Sequence, residues 1–149
     1  MGTNIELKNS DVATCLCLTR KMKDCFPLSE KYLNDKKIYG NDDFVDWYEI
    51  IFPDITITPA ALLCCLKTDS LHINNALHIS VFEVATPIQH YGRGTQIMNK
   101  IIEIAENNNY DYITLRANDI SLLHFYKNFG FKRFNSNDKN DLLLAKKLN

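Results

Sequence analysis

The feature that most constrains this chain lies between Leu77 and Asn107, where a strand pattern leads into a helix pattern. The run Leu77–Val84 is rich in β-branched and aromatic residues, which predicts a β-strand. The run Gly94–Asn107 repeats apolar residues at helical spacing, which predicts an amphipathic helix. Pro87 and Gly92 lie between the two runs and indicate a turn, and Gly94 opens the second run. A strand that feeds directly into a helix favours an α/β or α+β fold.

Helix and strand patterns alternate along the rest of the chain as well. We predict further helices at 12–22, 30–37, 42–52 and 121–129, strands at 5–7, 60–67, 112–115, 131–134 and 141–148, and a short β-like piece at 54–58. The 149 residues contain no internal repeat and no linker, and their number is typical of one domain. We therefore predict a single domain over residues 1–149, built on one mixed central sheet flanked by helices.

Composition excludes several classes of protein. With 46% hydrophobic residues the chain is too apolar to be disordered. A formal net charge of −1 argues against a nucleic-acid partner, because such proteins need an excess of Lys and Arg. The longest apolar run, Ala60–Leu66, is far shorter than the ~20 residues that span a bilayer, and the N-terminus has no signal-peptide pattern. We expect a cytoplasmic protein with no membrane partner.

The five cysteines and four histidines do not form a metal-binding pattern. The cysteines are odd in number and include no Cys-x-x-Cys pair. The histidines lack the spacing that lets two imidazoles share a metal from one helix. We therefore predict no disulfide framework and no metal site, with the thiols buried in a reducing compartment.

Two of the five glycines lie in the turn Gln89–Thr95, directly before the strong helix. Glycines at this place let backbone N–H groups converge on one point, and the helix dipole makes that point positive, a combination that binds phosphate. The turn lacks the third glycine of a dinucleotide-binding loop and the Lys-Ser/Thr of a Walker loop. The alternative to a phosphate site is a plain tight turn.

The Gln-x-x-Gly-x-Gly pattern at 89–94 resembles the acetyl-CoA pyrophosphate loop of the GNAT superfamily of N-acetyltransferases. A second pattern, Tyr-x-x-x-Gly-Phe at 126–131, resembles another signature of the same family. The second glycine of the first pattern and the glycine of the second are 36 residues apart, with one predicted helix and one predicted strand between them, as the family layout requires. The resemblance covers about 77–134.

The resemblance implies a GNAT-like fold with splayed central strands, and acetyl-CoA as the cofactor. Pantetheine would pair with the strand edge near Val84, and the pyrophosphate would contact the glycine turn. Asp119 stands where the family usually has asparagine, so it can accept but not donate a hydrogen bond to CoA. The cofactor-binding residues implied are Val84, Gln89, His90, Tyr91, Gly92, Arg93, Gly94, Thr95, Asn118 and Asp119.

The resemblance also implies acetyl transfer to a primary amine by direct attack in a ternary complex. Tyr126 matches the tyrosine that protonates the leaving thiolate. The glutamate base of the histone-type branch is replaced by His78, which can accept an ammonium proton near neutral pH. Glu83, on the opposite face of the same predicted strand, is the rival base. An ordered water with no dedicated base is the third alternative.

Acidic residues are concentrated where the resemblance is weakest, since no Lys or Arg occurs from Ile38 to Leu66. Helical spacing would place three of these acids on one face. An acidic rim of this kind would attract a cationic amine, whereas the alternative is an ordinary solvated surface. The residues of the candidate rim are Asp42, Asp43, Asp46 and Glu49.

The leading prediction is an acetyl-CoA-dependent N-acetyltransferase that acts on a polyamine-like small molecule or on a lysine or N-terminal amine of a protein. The alternative is a CoA-binding regulatory module that kept the glycine turn and lost catalytic turnover. The absence of the family glutamate is the reason for this alternative. The sequence leaves a homodimer open.

Overall fold

The computed structural model describes residues 4–39, 45–69, 73–117, 119–134 and 142–148. The helices are α1 (Val12–Lys21), α2 (Pro27–Tyr39), α3 (Arg93–Asn107) and α4 (Leu123–Lys127), with short 3-10 turns at Thr86–Ile88 and Ile120–Leu122. The strands are β1 (Glu6–Ser10), β2 (Asp46–Ile51), β3 (Ala61–Thr68), β4 (Ala76–Val84), β5 (Tyr112–Arg116), β6 (Lys132–Arg133) and β7 (Leu143–Lys147). No helix in the described ranges is long and apolar enough to cross a membrane.

The described strands form one seven-stranded sheet in the order β1-β2-β3-β4-β5-β7-β6. Strands β4 and β5 pair in parallel, whereas β1 with β2, β2 with β3, β5 with β7 and β6 with β7 are antiparallel. The predicted mixed sheet with flanking helices is therefore confirmed. The strongest local predictions are also confirmed, since β4 and α3 begin and end within one residue of the sequence-based limits.

The prediction of a helix over 42–52 is wrong. Residues Asp46–Ile51 form β2, which pairs on one side with β1 and on the other with β3. The apolar spacing resembled a helix, but two flanking strands supply every ladder partner, and aromatic and β-branched residues suit a strand. Residues 42–44 lie outside the described part of the chain.

Other element limits also differ from the sequence-based ones, among them β1, which extends to Ser10, and α4, which ends at Lys127. The predicted β-like piece at 54–58 is a turn followed by bends, not a strand. Helix α2 begins at Pro27 rather than after it, because proline is well suited to the first position of a helix, where its missing N–H costs nothing.

The described residues group into two compact units, the first made of Met1–Cys65 and Val81–Lys100, the second of Leu66–Ser80 and Ile101–Asn149. In the first unit, Trp47 belongs to an apolar cluster, and its ring packs edge-on against Tyr32, with 6.0 Å between ring centroids. The buried members of this cluster are Cys15, Phe26, Leu33, Trp47, Leu62, Cys64, Val81 and Ala85.

The second unit contains an aromatic cluster around helix α4. The Tyr126 ring packs edge-on against Phe125 and Phe131, at centroid distances of 5.1 and 5.7 Å. Phe129 packs on Phe125 in the same way at 5.1 Å. Gly130 follows α4 with φ +94°, in the left-handed region where glycine is favoured. The cluster fixes the orientation of Tyr126.

Candidate functional site

The glycine turn and the end of the strand before it, from Val81 on, belong to the first unit. The Ala85 N–H donates to the Ala60 carbonyl at 2.8 Å, and this bond anchors the end of β4. The side chain of Gln89 turns back toward the same strand, where its Nε2 donates to the Val84 carbonyl at 2.9 Å. The amide of Gln89 therefore ties the turn to the strand end.

The backbone of the turn includes two residues in the left-handed region. His90 and Gly92 have φ values of 71° and 79°, and a Cβ at Gly92 would meet nothing within 4 Å, so glycine is favoured there by backbone conformation alone. The Gln96 N–H donates to the Gly92 carbonyl at 3.3 Å, which is a helical hydrogen bond. The amides of residues 93–95 come before it in the chain, so they have no acceptor within the helix. These amides lie at the positive end of α3, where an anion is stabilised.

Arg93 is engaged within the protein. Its Nη2 and Nη1 lie 2.8 and 3.3 Å from the two carboxylate oxygens of Asp54, and its guanidinium carbon lies 4.9 Å above the ring centroid of Phe52. The bond from Arg93 lowers the pKa of Asp54 below its usual value. The guanidinium of Arg93 is therefore already paired with a carboxylate of the same unit.

Glu83 is buried and caps a helix. Its Oε2 accepts from the Leu28 N–H at 2.9 Å, while its Oε1 accepts from the Ser29 N–H at 2.7 Å and the Ser29 hydroxyl at 2.8 Å. Leu28 and Ser29 are the second and third residues of α2, whose amides have no partner within the helix. The carboxylate satisfies both amides and lies at the positive end of the helix dipole.

His78 lies on β4 in the second unit, opposite Thr114 of β5. Its Nδ1 is 2.8 Å from the Thr114 hydroxyl oxygen. Burial and, to a smaller extent, Arg116 lower the pKa of His78 below 6.5, so the imidazole is neutral at pH 7. If Nδ1 carries the proton and donates it to Thr114, Nε2 is the nitrogen that can accept one.

The ladder between β4 and β5 is shorter than β4 itself. Its register runs from Ala76 opposite Tyr112 to Ile79 opposite Leu115, whereas β4 continues to Val84. Glu83 and Val84, both candidate site residues, lie on this continuation.

Tyr126 is 8% exposed, and burial raises its pKa to about 12. The phenol therefore keeps its proton throughout the physiological range.

Asp119 caps the Ile120–Leu122 turn, where its Oδ1 accepts from the Ser121 N–H at 2.8 Å and from the Ser121 hydroxyl. These two bonds lower the pKa of Asp119. Asn118 lies outside the described residues.

The helix-face arrangement of the acidic rim is wrong. Asp46 and Glu49 lie on strand β2, three residues apart and therefore on opposite faces. Asp46 is exposed, whereas Glu49 is only 7% exposed. Asp42 and Asp43 lie outside the described residues.

The cysteines are free thiols, of which Cys15, Cys64 and Cys65 are buried and Cys17 is exposed. Burial raises the pKa of Cys15 to about 11 and that of Cys65 to about 12, so both are inert at neutral pH. Within the described ranges, no group of three or more His, Cys, Asp or Glu side chains is placed to hold a metal ion.

Comparison with solved structures shows the fold. The PaiA N-acetyltransferase from Thermoplasma acidophilum in complex with coenzyme A is 14% identical with a TM-score of 0.62, over 97% of this chain and 99% of that one. A GNAT family acetyltransferase from Elizabethkingia anophelis with acetyl-CoA bound is 18% identical with a TM-score of 0.62, over the same shares. The NatC complex bound to Gag peptide and CoA is 16% identical with a TM-score of 0.63, over 100% of both chains.

No protein of curated function matches this sequence. The family model for the acetyltransferase (GNAT) domain matches residues 68–145, which is more than half of the chain and includes both glycine patterns. The chain therefore belongs to the GNAT family of acetyltransferases.

Proposed function

We propose that this protein is an acetyl-CoA-dependent N-acetyltransferase whose acceptor is a primary amine, attacked directly in a ternary complex. The observation that carries the proposal is the set of backbone amides at residues 93–95, at the start of α3. Structural neighbours with CoA or acetyl-CoA bound support the same cofactor here. The acceptor is a polyamine-like molecule or a protein amine, and the peptide in the NatC complex supports the second class.

The residues that would hold acetyl-CoA are the turn and the end of β4. The amides of Arg93, Gly94 and Thr95 would donate to the pyrophosphate, and the continuation of β4 beyond its ladder offers backbone groups for pantetheine. When bound, acetyl-CoA supplies the acetyl group as a reactive thioester. The side chain of Gln89 keeps the turn in place through the Val84 carbonyl.

Two side chains would move protons. Tyr126, protonated at neutral pH, would donate to the leaving thiolate. His78, neutral at pH 7, would accept the proton of the ammonium group, directly or through a water. Glu83 is a poor candidate for the general base, because both of its carboxylate oxygens already accept hydrogen bonds from α2.

Substitution of Gly94 tests the cofactor site. Gly94 is the second residue of α3 and does not have a positive φ, so its backbone conformation is open to leucine and Gly94→Leu should fold normally. Its side chain would cover the amides, and we expect acetyl-CoA affinity to fall by about 100-fold or more, as the loss of two bonds to a charged group implies. Calorimetry with acetyl-CoA measures this, with Arg93→Ala as the matched control.

We expect Arg93→Ala to lower the affinity much less than Gly94→Leu, because Arg93 is already paired with Asp54 and solvent screens the exposed carboxylate that remains. If Gly94→Leu binds acetyl-CoA as tightly as the unsubstituted protein, the site assignment is wrong. If Arg93→Ala loses as much affinity as Gly94→Leu, the arginine charge rather than the backbone is the main determinant.

The pH dependence of turnover tests His78. Because the pKa of His78 is lowered from its usual 6.5, its base form predominates at neutral pH and is lost as the pH falls through the lowered pKa. We expect kcat/KM to decline on the acid side with that midpoint, and His78→Gln to remove this limb and lower the plateau by about 100-fold. An unchanged profile in His78→Gln would leave an ordered water as the proton acceptor.

The second candidate function is the CoA-binding regulatory module, which the helix-capping role of Glu83 favours. The decisive experiment is release of free thiol from acetyl-CoA in the presence of spermidine, a lysine peptide, a peptide with a free N-terminus and an arylalkylamine. Amine-dependent release above the hydrolysis background supports the enzyme. Tight CoA binding without release supports the module, and no CoA binding contradicts both.

A further inference from the structure

A cavity of about 730 Å³ lies in the second unit, between α4 and the strands β6 and β7. Its apolar lining comes from Ile120, Leu123, Phe131 and Leu144. The volume is in the range of about 300–1,000 Å³ that is typical of sites for small molecules. Ile120 is 72% exposed, so an apolar side chain stands open to solvent at this cavity. These properties favour a ligand with an apolar body.

The polar lining of the cavity is cationic. Lys127, Lys132 and Arg133 contribute to it, and none of the described lining residues is acidic. The Lys146 ammonium adds to this charge, because it lies 3.0 Å from the place that a Cβ on the cavity residue Gly130 would take. The chain as a whole has a net charge of −1, so this concentration of positive charge is local. An anionic group on the ligand would complement it.

Among the residues that the structure describes, none of the proposed catalytic and cofactor residues lines the cavity. Leu123 and Lys127 are four residues apart on α4 and share a face, whereas Tyr126 contacts Phe125 and Phe131 in the aromatic cluster. Phe131 belongs to both environments, since it lines the cavity and packs against the Tyr126 ring.

We propose that this cavity binds a small amphipathic carboxylate, with its aliphatic or aromatic body against Leu123, Phe131 and Leu144 and its carboxylate between Lys127 and Lys132. The concave shape suits a small molecule better than the broad surface of a protein partner. A second copy of this chain would bring the same cations together across a two-fold axis, which opposes self-association at this site. The inference does not depend on the proposed acetyl transfer.

Decanoate is the probe for this site, with decylamine as its cationic counterpart. We expect calorimetry on the full chain to show decanoate binding and decylamine to bind at least about tenfold more weakly. Amide resonances of residues 123–133 should shift in NMR spectra. Equal affinity for both probes, or shifts confined to other residues, would contradict the proposal.

Variants distinguish binding of decanoate in this cavity from nonspecific attraction of an anion to surface lysines. The double variant Lys127→Gln/Lys132→Gln should weaken decanoate binding about tenfold or more, because it removes both charge-assisted partners. Ile120→Ser removes apolar contact at an exposed position and should weaken both probes alike. The matched control Lys31→Gln/Lys67→Gln alters exposed lysines elsewhere and should have no effect. An equal loss in the control contradicts the proposal, as does displacement of decanoate by acetyl-CoA, which would assign the cavity to the cofactor.

Discussion

Tyr126→Phe is expected to lower kcat by about 100-fold or more and to leave acetyl-CoA affinity within about twofold of the unsubstituted protein. The substitution removes the only proton that this side chain can donate, while the ring contacts with Phe125 and Phe131 remain. The pKa of about 12 means that the phenol is fully protonated across any practical assay range, so the deficit should not vary with pH. Steady-state thiol release gives kcat, and calorimetry gives the affinity.

Tyr112→Phe is a matched control, because it removes a hydroxyl from a half-buried tyrosine in the same unit. Tyr112 is not one of the proposed catalytic or cofactor-binding residues. We expect it to retain full turnover. If Tyr126→Phe also retains full turnover, Tyr126 is not the acid. If it loses acetyl-CoA affinity and thermal stability together with kcat, its role is structural.

Glu83→Ala is expected to lower the free energy of unfolding by about 2–4 kcal/mol. The change leaves the Leu28 and Ser29 amides and the Ser29 hydroxyl without their acceptor, in surroundings where Ser29 is fully buried. Glu83→Gln keeps one acceptor oxygen, so its loss in the free energy of unfolding should be about half that of Glu83→Ala. Urea denaturation monitored by circular dichroism measures both variants.

Asp11→Ala provides the comparison, since Asp11 caps α1 through the Thr14 N–H from an exposed position next to its own helix. We expect Asp11→Ala to lower the free energy of unfolding less than Glu83→Ala does. The activity of Glu83→Gln gives an independent readout: a folded variant with normal kcat supports a purely structural role. A stable variant with normal acetyl-CoA affinity and a large loss of kcat would make Glu83 the base after all.

The parts of the fold that local pattern dictates were predictable. The run of β-formers in β4, the amphipathic period of α3 and the two glycine patterns each occupy one continuous stretch, and each predicts its element or its family without knowledge of the rest. Strand β2 was not predictable in the same way. Trp47, Tyr48 and Ile51 fit a helical face, and only pairing with β1 and β3 shows that they lie on a strand.

The side-chain contacts of the site were the least predictable. The pairing of Arg93 with Asp54 joins residues 39 positions apart, and no local signal reveals it. Glu83 did have a signal that sequence reasoning missed. Helix α2 begins at Pro27 after Phe26, a residue with no side-chain acceptor to cap it, so a cap from elsewhere in the chain was to be expected.

That distant cap has a consequence for the order in which the protein folds. Contacts between residues far apart in sequence form late, because a long loop must first be closed. The first-turn amides of α2 find their acceptor 54 and 55 residues later in the chain. On the ribosome, α2 therefore emerges before the strand that completes it has been made. We expect the start of α2 to stay frayed until β4 docks, and the helix and the strand to be consolidated in one step.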